Sequence, residues 1–330
     1  MHAMLVRQHG DPNVLELVEI PIPTPTGELV LVQHKAIGAN FVDTQHRRGT
    51  PYPIALPLIP GVEAAGVVAA LGPDVTEFAA GDRVAFAGHM SGVYAEYSLV
   101  PQARLVPIPD TVDFHQAAAT LMQGMTAHAL TESVYPIQQH DNVLIHAAAS
   151  GVGLYLVQLA KRRGARVIGT TSSEAKAQVA YQAGADDVIL YTQADFEAET
   201  RRLTQGAGVH VVYDGIGQAT FDKGLRLLRP QGHMVVYGLS SGAVPPFDIN
   251  RLSGITGSEE RGSLFLTWPT LNDYAARRED LLWRARDILT WVADGILTPY
   301  ISGRFPLAEA AHVHQLLESR QGTGKLLLEP

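Results

Sequence analysis

The sequence predicts an α/β protein with two domains, one of which contains a doubly wound parallel sheet. A chain of 330 residues is long for one domain and suits two. Apolar residues make up 46% of the chain and charged residues 18%, which is enough to bury a core in each domain. In the middle of the chain, strand-like and helix-like segments alternate, and this order is typical of a parallel sheet with helices on both faces.

Short apolar segments between glycine- and proline-rich turns dominate the first third of the chain. The segments LVLVQHKAIGAN, AAGVVAALGP, GDRVAFAG and YAEYSLV predict strands, and together they predict a compact β-rich domain. The spacing of apolar residues then becomes helical in DFHQAAATLMQGMTAHALTE, where Asp113 is the expected helix cap.

The central part of the chain carries the alternating pattern. We expect strands at NVLIHAA, ARVIGTT, DVILY, VHVVYDGIG and HMVVYG, with helices between them, two of which end at Gly164 and Gly184. The strands are continuous apolar runs, as expected when helices cover both faces of a parallel sheet. We expect HMVVYG to form the edge of this sheet.

After GSLFLTWP the alternation ends. We expect two amphipathic helices, around Leu271–Asp294 and Leu307–Ser319, and then one strand at GKLLLEP. A single strand cannot complete a domain, so we expect it to return to the N-terminal domain. The predicted boundaries place residues 1–123 and 264–330 in one domain and residues 124–263 in the other.

Composition excludes several classes of function. A formal net charge of −8 gives the chain no electrostatic attraction to nucleic acid or to anionic membranes, so we expect neither as a partner. The absence of cysteine excludes disulfides, thiol catalysis and cysteine-bound zinc. The thirteen histidines include no H-x-x-x-H pair, so we expect no metal site. No segment predicts a signal peptide or a membrane span, and we expect a cytoplasmic protein.

The loop AAASGVG follows a predicted strand and opens a predicted helix, which is the context of a nucleotide-binding turn. Gly151 and Gly153 allow the backbone to approach a pyrophosphate, and the helix N-terminus favours its negative charge. Ala148 and Ser150 occupy the first two glycine positions, so the motif is incomplete and an ordinary strand–helix turn remains the alternative. His146, at the end of the strand, is interpreted as a structural histidine.

The next predicted strand indicates which nucleotide is bound. A site for NAD usually ends this strand with an acidic residue, whereas here it ends in four hydroxyl residues, Thr170–Ser173, with Lys176 one helical turn later. Hydroxyls and a lysine accept a 2′-phosphate that a carboxylate would repel. Lys176 alone is more often a surface lysine, but with the missing acid it favours NADPH.

Segments throughout the chain resemble the zinc-free, zeta-crystallin-like NADPH:quinone oxidoreductases of the medium-chain dehydrogenase/reductase superfamily. The segments that carry the resemblance are KAIGANFVDTQHRRG, PGVEAAGVV, GDRVAF, HAAASGVGLYLVQLAK, VVYDGIG, YGLSSGAV and LLESRQGTGKLLL. The resemblance implies a Rossmann domain inserted in a β-rich GroES-like catalytic domain. It also implies that Asn40 replaces a cysteine ligand of the zinc-containing relatives and that Val62 replaces a histidine of a Gly-His-Glu segment.

The resemblance implies a set of site residues as well. Asn40, Thr44 and Thr126 would lie near the nicotinamide, with Asn40, Tyr52 and Thr126 as the candidate catalytic residues; Tyr52 is also read as an ordinary packing residue. The remaining implied cofactor contacts are Ser150, Gly151, Val152, Gly153, Ser172, Lys176, Tyr191, Tyr237, Gly238, Ser240, Phe265, Thr267 and Arg320. The chain departs from the family pattern at Gln123, Leu239 and Trp268, which leaves substrate preference open.

The expected reaction is transfer of a hydride or electrons from NADPH to a quinone without a metal. Two alternatives stay open: reduction of the activated double bond of enones or enoyl thioesters, and a non-catalytic, crystallin-like protein that binds NADPH or RNA. The expected assembly is a homodimer through the edge of the Rossmann sheet, because an unpaired apolar edge is an aggregation hazard.

Overall fold

The computed structural model describes residues 1–88, 92–254, 262–319 and 322–330. The chain divides into two compact units, Met1–Met125 with Ala275–Pro330, and Thr126–Tyr274. Within the described residues, no helix is long and apolar enough to cross a membrane.

The described residues form strands and helices as follows. The strands are β1 (His2–Val6), β2 (Leu15–Glu19), β3 (Leu29–Ala39), β4 (Glu63–Leu71), β5 (Arg83–Ala87), β6 (Tyr97–Pro101), β7 (Val106–Pro107), β8 (Asn142–Ile145), β9 (Arg166–Thr171), β10 (Asp187–Leu190), β11 (Val209–Asp214), β12 (Leu228–Val236), β13 (Phe265–Thr267), β14 (Ile301–Pro306) and β15 (Lys325–Glu329). The α-helices are α1 (Phe41–Arg48), α2 (Phe114–Ala129), α3 (Gly151–Arg162), α4 (Glu174–Gln182), α5 (Phe196–Leu203), α6 (Phe221–Leu227), α7 (Leu271–Tyr274), α8 (Arg278–Ala293) and α9 (Ala310–Glu318).

The first unit is built on a seven-stranded sheet of order β14-β15-β3-β4-β5-β7, with β6 also paired to β3. The long strand β3 is its centre, and its apolar side chains, such as Val32 and Ile37, join a core that includes Phe86 and Leu328. The final strand β15 pairs antiparallel with β3, with Leu326 opposite Ala39. The prediction that the last strand returns to the N-terminal domain is therefore confirmed.

The second unit contains the doubly wound parallel sheet, in the order β10-β9-β8-β11-β12-β13. From β8 the chain first adds β9 and β10 on one side, and then returns to add β11, β12 and β13 on the other. Leu144, Ile168, Val212 and Met234 lie in its core and are at most slightly exposed, because helices cover both faces. The predicted strands and the helices α3, α4 and α5 all form.

Four details of the prediction differ from the structure. The strand predicted at HMVVYG begins earlier, at Leu228, because Pro230 cannot continue a helix. This strand is not the edge of the sheet, since β13 pairs with it in parallel. The helix predicted over Leu271–Asp294 is two helices, α7 and α8, since the backbone is extended at Arg277. Because β13 pairs with β12, the second unit continues to Tyr274, past the expected boundary at residue 263.

Candidate functional site

The carboxyl ends of parallel strands share one edge of the second unit's sheet. The chain leaves β8 and β11 in opposite directions, and such a switch point opens a crevice where nucleotides bind in folds of this kind. Most of the implied cofactor residues follow these strand ends. They are Ser150, Gly151, Val152 and Gly153 after β8, Ser172 and Lys176 after β9, Tyr191 after β10, and Tyr237, Gly238 and Ser240 after β12.

The loop after β8 has a structural reason for each unusual residue. The Ser150 hydroxyl accepts a hydrogen bond of 3.2 Å from the Gly153 N–H and so caps α3. A side chain at Gly153 would collide with the carbonyl oxygen of Ala147. The serine that made the glycine motif incomplete is therefore the helix cap, and it leaves the first N–H groups of α3 available for an anion.

His146, the residue after β8, is buried, which agrees with its interpretation as a structural histidine. Its Nδ1 lies 3.0 Å from the Thr170 hydroxyl, and its ring meets the edge of Phe196 with 4.8 Å between centroids. Burial lowers the pKa of His146, so the ring is neutral. Thr170 and Thr171 are themselves buried, so of the four hydroxyls of Thr170–Ser173 only those of Ser172 and Ser173 lie nearer the surface.

Two hydroxyls remain at the ends of β9 and α4. Ser173 caps α4 by accepting from the Lys176 N–H over 3.4 Å, which leaves Ser172, half-buried, as the hydroxyl beside Lys176. Leu190 pairs with Thr171 in the sheet, so Ser172 and the half-exposed Tyr191 follow adjacent strand ends. The structure therefore brings Ser172, Lys176 and Tyr191 to one corner of the sheet. Burial lowers the pKa of Lys176.

Asp214, at the end of β11, is a residue that sequence reasoning did not single out. Its buried carboxylate accepts hydrogen bonds from the Ile216 N–H at 2.7 Å, the Gly217 N–H at 3.1 Å and the Thr220 hydroxyl at 2.8 Å. The Tyr237 N–H donates to the Asp214 carbonyl over 2.9 Å. Asp214 thus holds the turn beside Tyr237, and an aspartate before glycines at a strand end is the signal for such a turn.

Phe265 and Thr267 lie on β13, opposite His233 and Val235 of β12. The exposed Phe265 ring stacks on the His233 ring with 4.3 Å between centroids. His233 precedes Tyr237 by four residues, or about 13 Å of strand. The structure therefore does not bring Phe265 to the carboxyl edge, whereas Thr267 lies close to it in the register.

Thr126 is half-buried on α2.

The first unit contains a buried polar cluster around Asn40, at the start of α1. The Lys325 ammonium donates to Asn40 Oδ1 at 2.8 Å and to Glu63 Oε2 at 2.5 Å. The Asn40 amide nitrogen donates to Glu63 Oε2 at 3.1 Å and to the Gly38 carbonyl at 3.0 Å. Lys325 is 2% exposed and Glu63 is fully buried. Three residues that lie far apart in sequence therefore form one hydrogen-bonded group.

Glu63 is held by the backbone as well. Its Oε1 accepts from the Met122 N–H of α2 at 2.6 Å. A side chain at Gly38 would collide with the Glu63 carboxylate and the Ala118 carbonyl, so glycine is required there. The carboxylate has a partner on each oxygen, as a buried charge needs.

Asp43 lies on the other side of Asn40. Its Oδ2 accepts from the Asn40 N–H at 2.8 Å and from the Tyr94 hydroxyl at 3.0 Å. His314 Nε2 lies 3.1 Å from the same hydroxyl. Burial raises the pKa of Asp43 to about 7, and burial lowers the pKa of His314 to about 3. The neutral His314 therefore donates through Nε2 to Tyr94, which donates to Asp43.

The other implied residues of the first unit are more dispersed. The Thr44 hydroxyl is buried and donates to the Phe41 carbonyl at 2.7 Å. Tyr52, 41% exposed, follows the C-terminal end of α1, whereas Asn40 precedes its N-terminal end. Arg320 lies outside the described residues. Among the described residues, no group of three or more His, Asp or Glu side chains is arranged to hold a metal ion.

Comparison with known proteins agrees with this architecture. The chain matches the family model described as zinc-binding dehydrogenase over residues 151–278 and the alcohol dehydrogenase GroES-like domain over residues 26–110. It is 38% identical to quinone oxidoreductase 1 of Escherichia coli, over 98% of both chains. It is 37% identical to a 2-haloacrylate reductase of a Burkholderia species, over 99% of this chain and 98% of the relative.

Solved structures show the same relationship. The E. coli quinone oxidoreductase complexed with NADPH superimposes with a TM-score of 0.95 at 37% identity, and both chains are covered completely. A mycobacterial protein complexed with NADPH gives a TM-score of 0.94 at 41% identity, also over both whole chains. The chain therefore belongs to the quinone oxidoreductases of the medium-chain dehydrogenase/reductase superfamily.

Proposed function

We propose that this protein is an NADPH-dependent quinone reductase. The observation that carries the proposal is full-length similarity to quinone oxidoreductases, one of them solved with NADPH. The carboxyl edge of the parallel sheet supports it, because that edge combines a capped helix N-terminus with a corner formed by Ser172, Lys176 and Tyr191.

The residues of this edge fit a dinucleotide with a 2′-phosphate. The backbone N–H groups of Gly151 and Val152, at the start of α3, would bind the pyrophosphate. Lys176 and the hydroxyls of Ser172 and Tyr191 would bind the 2′-phosphate through charge-assisted hydrogen bonds. Tyr237, Gly238 and Ser240 would border the nicotinamide. Bound NADPH supplies the hydride, and these residues orient it.

We propose that the reaction proceeds without a metal. The family resemblance implies that Asn40 replaces a zinc ligand of the zinc-containing relatives, and its side chain is engaged by Lys325 and Glu63. A quinone requires no metal to accept a hydride, and its reduced oxygen is protonated from water. An aldehyde or ketone would require a stabiliser for the developing oxyanion.

A second candidate function is reduction of an activated double bond, and one observation favours it. The Burkholderia relative named 2-haloacrylate reductase is as similar to this chain as several quinone oxidoreductases are. Both reactions deliver a hydride to an electron-poor carbon or oxygen, and the same fold serves either.

The two functions are separated by an acceptor assay. The chelator-treated protein is mixed with NADPH or NADH and with benzoquinone, a larger ortho-quinone, an enone or 2-chloroacrylate, and nicotinamide oxidation is followed. Rapid turnover of the quinones with NADPH supports the proposal. Turnover confined to the enone or the haloacrylate would transfer the protein to the double-bond reductases, and NADPH binding without turnover of any acceptor would contradict both.

We also propose a cytoplasmic homodimer that forms through the edge of the parallel sheet. The structure moves the expected edge from β12 to β13, whose neighbourhood exposes Phe265 and Trp268 by 53% and 48%. Exposed aromatic side chains on an edge strand favour pairing with a second copy. Light scattering at micromolar concentration is expected to give twice the chain mass, and a monomer would contradict this assembly.

A further inference from the structure

A buried ion pair stands behind Asn40, and stability alone does not account for it. The Lys325 ammonium and the Glu63 carboxylate lie 2.5 Å apart, with side chains 2% and 0% exposed. Moving two charges out of water costs free energy that their attraction often only just returns. Neutral residues of the same shape frequently stabilise a protein equally well. Both members of the pair contact the Asn40 side chain, so the pair affects that amide.

The pair leaves the Asn40 amide only one orientation. The two amide hydrogens point to Glu63 and to the Gly38 carbonyl, and the oxygen points to Lys325. A flipped amide would set its NH₂ group against the ammonium and its oxygen against the carboxylate, which is repulsive on both sides. With both hydrogens used, any further hydrogen bond to this amide must be accepted by Oδ1.

We propose that Lys325 and Glu63 are positioning residues that fix Asn40 as a hydrogen-bond acceptor for an N–H or O–H donor of the bound reactants. The inference rests on the proposed function and on the family resemblance, which implies that Asn40 lies near the nicotinamide. A donor of the required kind is the carboxamide N–H of the nicotinamide or the hydroxyl of a reduced quinone. Asn40 is thereby excluded as the donor that stabilises an oxyanion on the substrate.

The first test removes both charges together. The double variant Glu63→Gln/Lys325→Met keeps the side-chain volumes and leaves no lone buried charge, so we expect thermal unfolding close to that of the wild type. The freed amide reorients, and we expect kcat for quinone reduction to fall about tenfold to a hundredfold, the cost of misplacing a group by about an ångström. The surface pair Lys161–Asp186, 2.8 Å apart, supplies a matched control, Lys161→Met/Asp186→Asn, with unchanged kcat.

The second test asks whether the pair acts through Asn40. In an Asn40→Ala background the same double substitution should lower kcat no further, because residues that act as one unit are not additive. A fully additive loss would show that the pair acts elsewhere and would overturn the inference. A folded double variant with wild-type kcat would overturn it too.

The third test remains informative even if the double variant Glu63→Gln/Lys325→Met does not fold. Asn40→Asp places a carboxyl oxygen where the amide nitrogen lies 3.1 Å from Glu63, with Lys325 also contacting the side chain and Asp43 accepting from the backbone N–H of the same residue. Two adjacent carboxyl groups repel each other when both are ionised, so this side chain is displaced as pH rises and we expect kcat to decline with rising pH relative to the wild type. A parallel pH profile would contradict the inference. Wild-type turnover in the same assay is the separate test of the proposed function, and an inactive wild type would remove both.

Discussion

The carboxyl edge of the parallel sheet in the second unit differs in construction from the polar cluster of Asn40, Glu63 and Lys325 in the first unit, here called the Asn40 cluster. The edge uses backbone N–H groups, glycines and caps that lie within a few residues of each strand end. The Asn40 cluster joins side chains from three distant segments, with Asn40 and Lys325 separated by 285 residues. The edge therefore presents its functional groups to a ligand, whereas the cluster satisfies its groups internally and leaves a single amide to act.

This difference determines how each region should respond to change. A local, backbone-built site is most sensitive to side chains that block a close approach. A buried polar cluster is most sensitive to charge and protonation, because low dielectric surroundings magnify both.

The largest effect is expected from Gly153→Ala. The added Cβ meets the carbonyl oxygen of Ala147 and displaces the start of α3. We expect kcat/KM for NADPH to fall about a hundredfold, as for an ångström-scale displacement of a bound reactant. The matched control is Gly224→Ala on α6, whose Cβ would meet the flexible end of Met234 at 3.1 Å. Equal loss in both variants, measured by steady-state kinetics, would contradict a specific role for the loop.

The second-largest effect is expected on the pH dependence of the free energy of unfolding, through the protonation of Asp43 beside the Asn40 cluster. Its pKa is raised to about 7 by burial, so the folded state binds a proton that the unfolded state releases near its ordinary value of 3.8. This contribution to stability is complete below the unfolded pKa and is lost as pH rises towards 7.

In Asp43→Asn this loss is absent. Between pH 5 and pH 8, the free energy of unfolding of the wild type should therefore fall by about 2–3 kcal/mol relative to the variant, at roughly 1.4 kcal/mol per pKa unit. Urea unfolding at both pH values measures it. The buried His34 and His314, with pKa values lowered to about 4 and about 3, titrate in both proteins and cancel in the comparison. Parallel stability profiles would show that Asp43 is ionised throughout.

A smaller effect is expected at the corner of the sheet formed by Ser172, Lys176 and Tyr191. Lys176→Ala removes one charge-assisted hydrogen bond to a 2′-phosphate, and we expect NADPH to bind about tenfold more weakly, about 1.4 kcal/mol. NADH lacks that phosphate and should bind unchanged. Lys161→Ala removes a lysine of the same unit that pairs with Asp186, and serves as the control. Calorimetric titration with both nucleotides measures the difference, and equal weakening of NADH would refute the assignment.

The smallest effect is expected at Ser150. Ser150→Ala loses the cap of α3 and should lower the free energy of unfolding by about 1 kcal/mol. Ser150→Asp keeps a cap but sets a negative charge beside the pyrophosphate, so we expect wild-type stability with weaker NADPH binding. Urea unfolding and calorimetry on the two variants separate capping from phosphate binding. Unchanged NADPH affinity in Ser150→Asp would place the pyrophosphate elsewhere.

The sequence predicts the second unit better than the first, because the second unit is built mainly from local patterns. Alternating strands and helices are local patterns, and the loop from Ala147 to Gly153 lies between one strand and one helix, so the sheet and this loop could be predicted. The burial of Thr170 and Thr171 could not, because it depends on His146 and on a sheet covered on both faces. The role of Asp214 was missed, although its turn carries a readable pattern.

The Asn40 cluster could not be predicted from the sequence. Nothing near Lys325 in GKLLLEP distinguishes it from a surface lysine, and its burial follows from the pairing of β15 with β3. Only that register sets its ammonium against Glu63 and Asn40. The break between α7 and α8 and the addition of β13 to the sheet likewise depend on tertiary contacts that short patterns do not record.

The most direct test of the account is a single-turnover experiment. Protein freed of metal by chelation and verified by elemental analysis is loaded with NADPH, mixed rapidly with benzoquinone, and the oxidation of the nicotinamide is followed. We predict one hydride equivalent transferred per site at the same rate as in untreated protein, and much slower transfer when NADH replaces NADPH at equal concentration. Loss of transfer on chelation, restored by added zinc, would contradict the account.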